Sequence, residues 1–381
     1  MKNNKFIYLD PIVSISFVLL VSIGLLTLAS ASMPLAEKSY GSAFYFFYNQ
    51  VACLTVGMAV LITIFFIPTN KWQIIAEPLF YFSLFLLVLV LLVGSEINGA
   101  KRWLAIPGFS FQPSEILKFS LVLYLANFIN KNHKDLTVNI KILLAPLSLL
   151  GLASILLLTE PDFGATVVLI LTFTGCIFIA GISLQPLIIL TSCIVVALGL
   201  LAFFTPYRFA RLTTFLHPWE NAYGSGYQLT QALISYGRGD WFGLGMGGSI
   251  QKLFFLPEAH TDFIFAILSE ELGLVGALFI IVLYLSLIIR VFYYGSIAQS
   301  KGLVWHAFIC YGFVFYFSAQ VFISIGVNLG LLPTKGLTLP FLSYGRSSLL
   351  INCAFMGLIL RCVLEISNQS RIADYQKLFW K

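Results

Sequence analysis

Ten stretches of almost unbroken apolar residues recur along this chain, and polar residues gather in the gaps between them. The stretches lie near 11–32, 47–67, 75–94, 113–130, 142–159, 164–182, 186–204, 265–289, 305–326 and 347–366. Runs of about 18 residues or more suit helices that cross a hydrocarbon layer of about 30 Å. Membrane barrels would instead alternate apolar and polar positions over segments of about 10 residues, and no such alternation is present. The pattern predicts an all-α, polytopic membrane protein with about ten transmembrane helices and a single membrane domain over 1–381.

With both termini in the cytoplasm, three gaps on the outer side stand out: about 95–112, about 205–262 between spans seven and eight, and about 327–346. The inner segments then hold more lysines and arginines than the outer ones, twelve against nine, in the sense of the positive-inside rule. The tail after Ile366, about 367–381, is cytoplasmic and too short to fold alone. Near the N-terminus Lys2, Lys5 and Ala29-Ser30-Ala31 resemble a signal peptide with its cleavage site. The apolar run from Pro11 exceeds the usual signal core of about 7–15 residues, so it reads as a retained first helix.

Composition agrees with the pattern. Hydrophobic residues make up 59% and charged residues 10%, against roughly 25% charged in soluble domains. The net charge of +6 is scattered, which suits anionic membrane lipid and gives no footprint for nucleic acid. All six cysteines fall in or beside apolar runs without CxxC spacing, so they read as small buried hydrophobes.

Charges within the apolar stretches need partners and usually a role. Glu115 and Lys118, three apart at the start of the fourth span, share a helix face and can pair. They are either a structural pair near the interface with Lys118 snorkelling, or an anion site that Glu115 positions. In Glu160-Pro161-Asp162-Phe163-Gly164, Asp162 either caps the sixth span or faces a cavity as a second carboxylate. The stretch from Tyr223 to Gly273 concentrates glycines, carboxylates, lysine and histidine in an otherwise greasy chain. Its neighbours Arg208 and Arg211, three apart, present forked donors suited to phosphate. Gly243, Gly245, Gly247 and Gly248 permit tight turns or close approach to a ligand without matching a P-loop. Asp262, just before the eighth span, is either a helix cap or a working carboxylate, and Ser269 to Gly273 can break that helix.

Several motifs in order resemble the SEDS family of membrane proteins (shape, elongation, division and sporulation). They are Asn98 to Trp103, Phe111 to Glu115, Pro161 to Gly164, Gly226-Tyr227-Gln228, Leu256 to Phe263, Glu270 to Gly273 and Pro340 to Gly345. Leu332 to Leu337 looks more like the division member of the family than the elongation member. The resemblance implies a peptidoglycan glycosyltransferase that polymerises lipid II at the outer side of the bacterial inner membrane, at the division septum. It places the essential aspartate on Asp262 and the buried glutamate and lysine on Glu115 and Lys118. It also implies a divalent cation (Mg or Mn) that Asp262 would anchor. The implied partners are a class B penicillin-binding protein transpeptidase and other division-complex membrane proteins. Further candidates for substrate contact are Lys101, Arg102, Gln228, Lys252, His260, Lys335 and Ser343, polar residues of the three outer loops. One departure stands out: Arg346 follows Ser343-Tyr344-Gly345 where the family carries glycine.

The chemistry expected is attack by a sugar hydroxyl on an anomeric carbon bearing a lipid diphosphate. Asp262 would take the proton, with Lys118, Arg208 or Arg211 holding the diphosphate. Two rivals from other classes are a flippase for lipid-linked sugars, with Glu115 and Lys118 on a translocation path, and a structural scaffold of the division complex.

Overall fold

The computed structural model describes residues 9–97, 100–106, 109–133, 135–136, 140–182, 214–333 and 336–379, with isolated positions between 185 and 203. Its helices, in chain order, are α1 (Pro11–Tyr40), α2 (Tyr45–Phe66), α3 (Thr69–Val93), α4 (Pro113–Asn132), α5 (Leu144–Thr159), α6 (Phe163–Ile179), α7 (Tyr227–Gly239), α8 (Ile264–Ser300), α9 (Val304–Asn328) and α10 (Arg346–Phe379). Among the described residues seven helices are long and apolar enough to span a membrane, and α6 is a shorter apolar helix. The expected seventh span at 186–204 lies, but for isolated positions, outside the described residues, as do Arg208, Arg211 and Lys335.

The expected fourth span exists as α4, but its composition is not that of a lipid-facing helix. Ser114, Glu115, Lys118, Ser120 and Asn127 are all buried, because α4 runs against α3 and α9 inside the protein. Together with α9 and α10 it forms the centre, while α2, α3 and α5 leave more of their surface outward. α1 packs on α8, and α10 on α2. The N-terminal end of α1 is fixed by Asp10, which caps Ile12 and Val13 and accepts hydrogen bonds from Arg290 (2.8 Å) and Tyr294 (2.8 Å) of α8. These bonds hold the start of α1 level with the later turns of α8.

Three outer segments depart from plain loops. Residues 95–111 fold into a small antiparallel sheet of β1 (Ser95–Ile97), β2 (Ala100–Ile106) and β3 (Phe109–Phe111). Ser95 faces Trp103 and Leu104 faces Phe111. The largest loop carries the short helix α7, which lies against α8.

The third segment, expected as an outer loop, turns back into the protein. The Tyr284 hydroxyl of α8 donates to the Pro340 carbonyl at 2.6 Å, and a Cβ on Gly24 of α1 would meet the Phe341 carbonyl at 2.3 Å. Gly24 stands thirteen residues above Pro11, about 20 Å along the axis, so residues 336–343 descend well below the outer surface. Irregular backbone survives at such depth only where protein satisfies it, and here Leu339, Phe341 and Leu342 are buried.

Candidate functional site

α8 is broken, as the Ser269 to Gly273 run allows. Gly273 adopts φ 70° and ψ −171°, and the loop before it enters the gap. Leu244 and Gly245 donate their N–H groups to the carbonyls of Glu270 and Glu271, both at 3.0 Å. In return Leu274 and Val275 donate to the carbonyls of Asp240 and Trp241. Backbone groups that a broken helix would leave orphaned in a membrane are thereby satisfied. Gly243 (φ 78°) is required at this crossing, since a Cβ there would lie 2.2 Å from the Glu271 carbonyl oxygen. The glycine run is therefore a fitting between loop and helix.

Two acidic side chains hold the same fitting. Glu270 accepts from Arg238 Nε (3.0 Å), the Ser249 hydroxyl and the N–H groups of Ile250 and Gln251. Glu271 accepts from Lys252 Nζ at 2.8 Å and from the Ser30 hydroxyl of α1. Lys252 also donates to Ser30 Oγ and to the Gly247 carbonyl. With these three acceptors Lys252 joins the loop to α1 and α8.

Asp262 stands two residues before α8. The N-cap position is Phe263, which offers no side-chain cap, so Asp262 falls one residue outside the cap position. Its carbonyl accepts from Asn328 Nδ2 at 2.8 Å. Its Oδ2 lies against Gly336, where a Cβ would come within 3.3 Å. The carboxylate is thus half-buried, between the outer end of α9 and the mouth of the re-entrant segment. His260 beside it is ringed by Phe46 (4.8 Å between centroids) and Tyr344 (5.9 Å), and its carbonyl accepts from the Tyr344 N–H. Burial lowers the His260 imidazole below its usual pKa, with Glu258 opposing, which favours the neutral ring. The aromatic cage makes His260 a packing element of the Asp262 turn.

Below the mouth lies a buried polar chain. Lys118 Nζ donates to Glu115 Oε1 at 2.7 Å and to Gln320 Oε1 at 3.4 Å, with the Tyr316 ring 5.7 Å away. Gln320 Nε2 in turn donates to the Thr338 carbonyl of the re-entrant segment at 3.0 Å. Lys118 is 1% exposed, so it does not snorkel to the interface. The sequence reading missed Gln320 and Asn328. Their signal was available: Gln320, Ser324 and Asn328 are spaced by four along an apolar span, one polar stripe on one face, and all three are buried.

Asp162 resolves towards capping. It accepts from the Ala165 N–H at 3.1 Å, and also from Gln112 and Ser114. Leu337 sits against Gly164 in the same turn, which joins the α6 start to the Asp262 mouth. Arg102 donates to the carbonyls of Glu160 (3.0 Å) and Pro161 (2.6 Å), so its guanidinium braces this turn. Ser343 is buried and its hydroxyl accepts from the Leu339 N–H at 2.8 Å, a local turn contact. Lys101 is exposed on β2, and Gln228 is half-buried in the first turn of α7. Arg346 reaches Ser110 of β3 at 3.1 Å, tying the small sheet to the start of α10.

The geometry agrees with what related chains show. The family model described as cell cycle protein, covering FtsW, RodA and SpoVE, matches residues 11–369. The chain belongs to this family. A probable peptidoglycan glycosyltransferase FtsW from Coxiella burnetii is 45% identical over 351 residues, covering 92% of this chain and 94% of that protein. A protein of the same description from Alcanivorax borkumensis is 46% identical over 354 residues, 92% of each chain. Among solved structures, a chain of a peptidoglycan synthase complex, studied for the coordination of polymerization and crosslinking, superposes with a TM-score of 0.78 at 27% identity, covering 95% of this chain and 99% of its own. The rod shape determining protein RodA of Thermus thermophilus gives 0.68 at 27% identity, with 94% and 97% covered. The chain is thus a multi-pass membrane protein of this family.

A divalent cation was part of the resemblance. Among the described residues no group of three or more His, Cys, Asp or Glu side chains is placed to hold a metal ion. These residues do not form a closed cage around Asp262.

Proposed function

We propose that this chain is a peptidoglycan glycosyltransferase that polymerises lipid II into glycan strands during cell division. The observation that carries the reading is the placement of Asp262. It precedes the α8 cap by one residue, its main-chain carbonyl is held by Asn328, and its carboxylate lies beside Gly336 at the mouth of a re-entrant segment. In the reaction the hydroxyl oxygen of the acceptor sugar bonds to the donor's anomeric carbon. The anomeric C–O bond to the lipid diphosphate breaks, and its electron pair leaves on the phosphate oxygen. Asp262 takes the hydroxyl proton, the part a positioned carboxylate performs in general-base catalysis. Displacement in one step inverts the anomeric centre and needs no covalent carboxylate intermediate.

The ion pair Glu115–Lys118 acts on this site through Gln320 and the Thr338 carbonyl, which support the segment against which Asp262 lies. Arg208 and Arg211, three apart with forked donors, and Lys335 are the cations for the leaving diphosphate. An open apolar groove of about 460 Å³ between α6 and α9, lined by Leu171, Gly175, Phe315 and Phe322, suits a polyprenyl tail. The protein would work in the inner membrane at the septum with both termini cytoplasmic, beside a class B penicillin-binding protein.

The test is polymerisation of labelled lipid II by wild type and Asp262→Ala, with a crosslinking partner supplied and products separated by length. Wild type makes long strands and Asp262→Ala makes none while keeping its unfolding midpoint. Equal polymer from both chains would remove Asp262 from the chemistry. Movement of labelled lipid II across vesicles by both chains without polymer would favour the flippase.

A further inference from the structure

The glycine-rich loop that fills the break in α8 exposes large apolar side chains beside the exposed apolar face of that helix. Two helices measure the depth of the loop independently. On α8 the Trp241 carbonyl is bonded to the Val275 N–H, fifteen residues above Arg290, or about 23 Å along the axis. On α1 the loop's Lys252 is bonded to Ser30, nineteen residues above Pro11, or about 28 Å. Asp10 and Arg290 share one level through their ion pair. With that level at the inner boundary of a hydrocarbon core of about 30 Å, Trp241 falls inside the outer margin of the core and Lys252 at its edge. Any tilt of the helices lowers both.

At this level Trp241 is 61% exposed, Phe242 82% and Met246 52%. They adjoin Leu274 and Val275, which are exposed on the same stretch of α8 and begin the apolar surface that continues through Leu278, Phe279 and Val282. The loop therefore extends the lipid-facing surface of a membrane span. Higher up, Lys38 of α1 lies 4.6 Å over the Phe254 ring. Its ammonium stands two turns above Ser30, at the height of lipid phosphates, which suits a cation over an interfacial aromatic. Much of the loop backbone is satisfied by protein, as depth in lipid demands: besides the four bonds to α8, Gly243 donates to Gly239 and Gly248 to Gly245.

We infer that residues 241–246 form a re-entrant anchor whose aromatic and apolar side chains lie among the acyl chains of the outer leaflet, with Phe254 above them at the headgroups. The anchor grips the bilayer immediately beside the Gly273 break, and so sets the height of the upper part of α8 on which the Asp262 turn stands. This inference does not depend on the reaction proposed above.

The test uses the full chain in nanodiscs of phosphatidylethanolamine and phosphatidylglycerol, with or without bromine on the upper acyl carbons. Tryptophan emission of wild type minus that of Trp241→Phe isolates the signal of Trp241. The expected signal is blue-shifted, loses most of its intensity in brominated discs and resists acrylamide in the buffer. Quenching by acrylamide without quenching by bromine would overturn the anchor, since the loop would then stand in water. Resistance to both quenchers would also overturn it, because another protein surface such as a second copy would then cover the loop. The chain carrying Trp241→Phe with Phe242→Trp repeats the measurement one residue further along, so failure of either variant to fold leaves the test intact.

Discussion

Replacing Lys118 by Met separates charge balance from chemistry at the buried pair. Glu115 and Lys118 are both buried, and Glu115 Oε2 has no hydrogen-bond partner among the described residues. Lys118→Met would strand the carboxylate and release Gln320 Oε1 as well. Breaking a buried ion pair by removing one partner costs about 3–5 kcal/mol, whereas replacing both partners by neutral groups of similar size is often neutral or better. Against a total stability of about 5–15 kcal/mol, the single change removes a large share. The assay is the unfolding midpoint in one detergent for Lys118→Met and for Glu115→Gln/Lys118→Met, alongside lipid II polymerisation. The single variant is expected to unfold well before wild type and the double variant to recover most of the difference. Polymerisation stays low in both, since Gln320 has lost the ammonium that holds it to α4 and the Thr338 carbonyl is less firmly placed. A single variant as stable as wild type would refute the buried-charge reasoning. A stable double variant that polymerises at the wild-type rate would refute the route from Lys118 to the site.

Three further outcomes follow from named contacts. Glu160 is fully buried and burial first, then Asp162, raises its carboxyl from 4.5 to about 8, with Arg102 opposing. Its stabilising contribution is complete below 4.5 and is lost as pH rises through 8, a slope of about 1.4 kcal/mol per pH unit. Glu160→Gln should flatten the unfolding midpoint across that window, and equal slopes in both chains would count against the assignment. Gly243→Ala meets the Glu271 carbonyl at 2.2 Å with φ 78°, while Gly245→Ala has φ 87° and nothing within 4 Å. The second should lose about 1–2 kcal/mol from backbone strain alone, the first clearly more, and matching losses by denaturation would refute the crossing. Arg346→Gly removes the bond to Ser110, so amide exchange at Phe109–Phe111 should quicken while the core keeps its protection.

Much of this protein is legible without coordinates, because a bilayer is an unforgiving solvent. A helix must present apolar side chains to lipid and satisfy its own backbone, so α1, α2, α3 and α8 announce themselves by length and hydropathy. The same rule made Glu115, Lys118 and the polar island from Tyr223 to Gly273 conspicuous. What each polar residue does there was a different matter. Lys252 is joined to Ser30, 222 positions away. Lys118 reaches Gln320 across 202, and Asn328 reaches back 66 to Asp262. Such partners are chosen by how helices pack, and spacing along the chain carries no record of that choice. Local pattern left Asp262 and Asp162 equally plausible as caps, and only the packed structure made a cap of Asp162 and left Asp262 at the mouth of the re-entrant segment. The glycines show the same division. Their run was plain in the sequence, but the reason for it, a loop passing within touching distance of a broken helix, exists only in three dimensions.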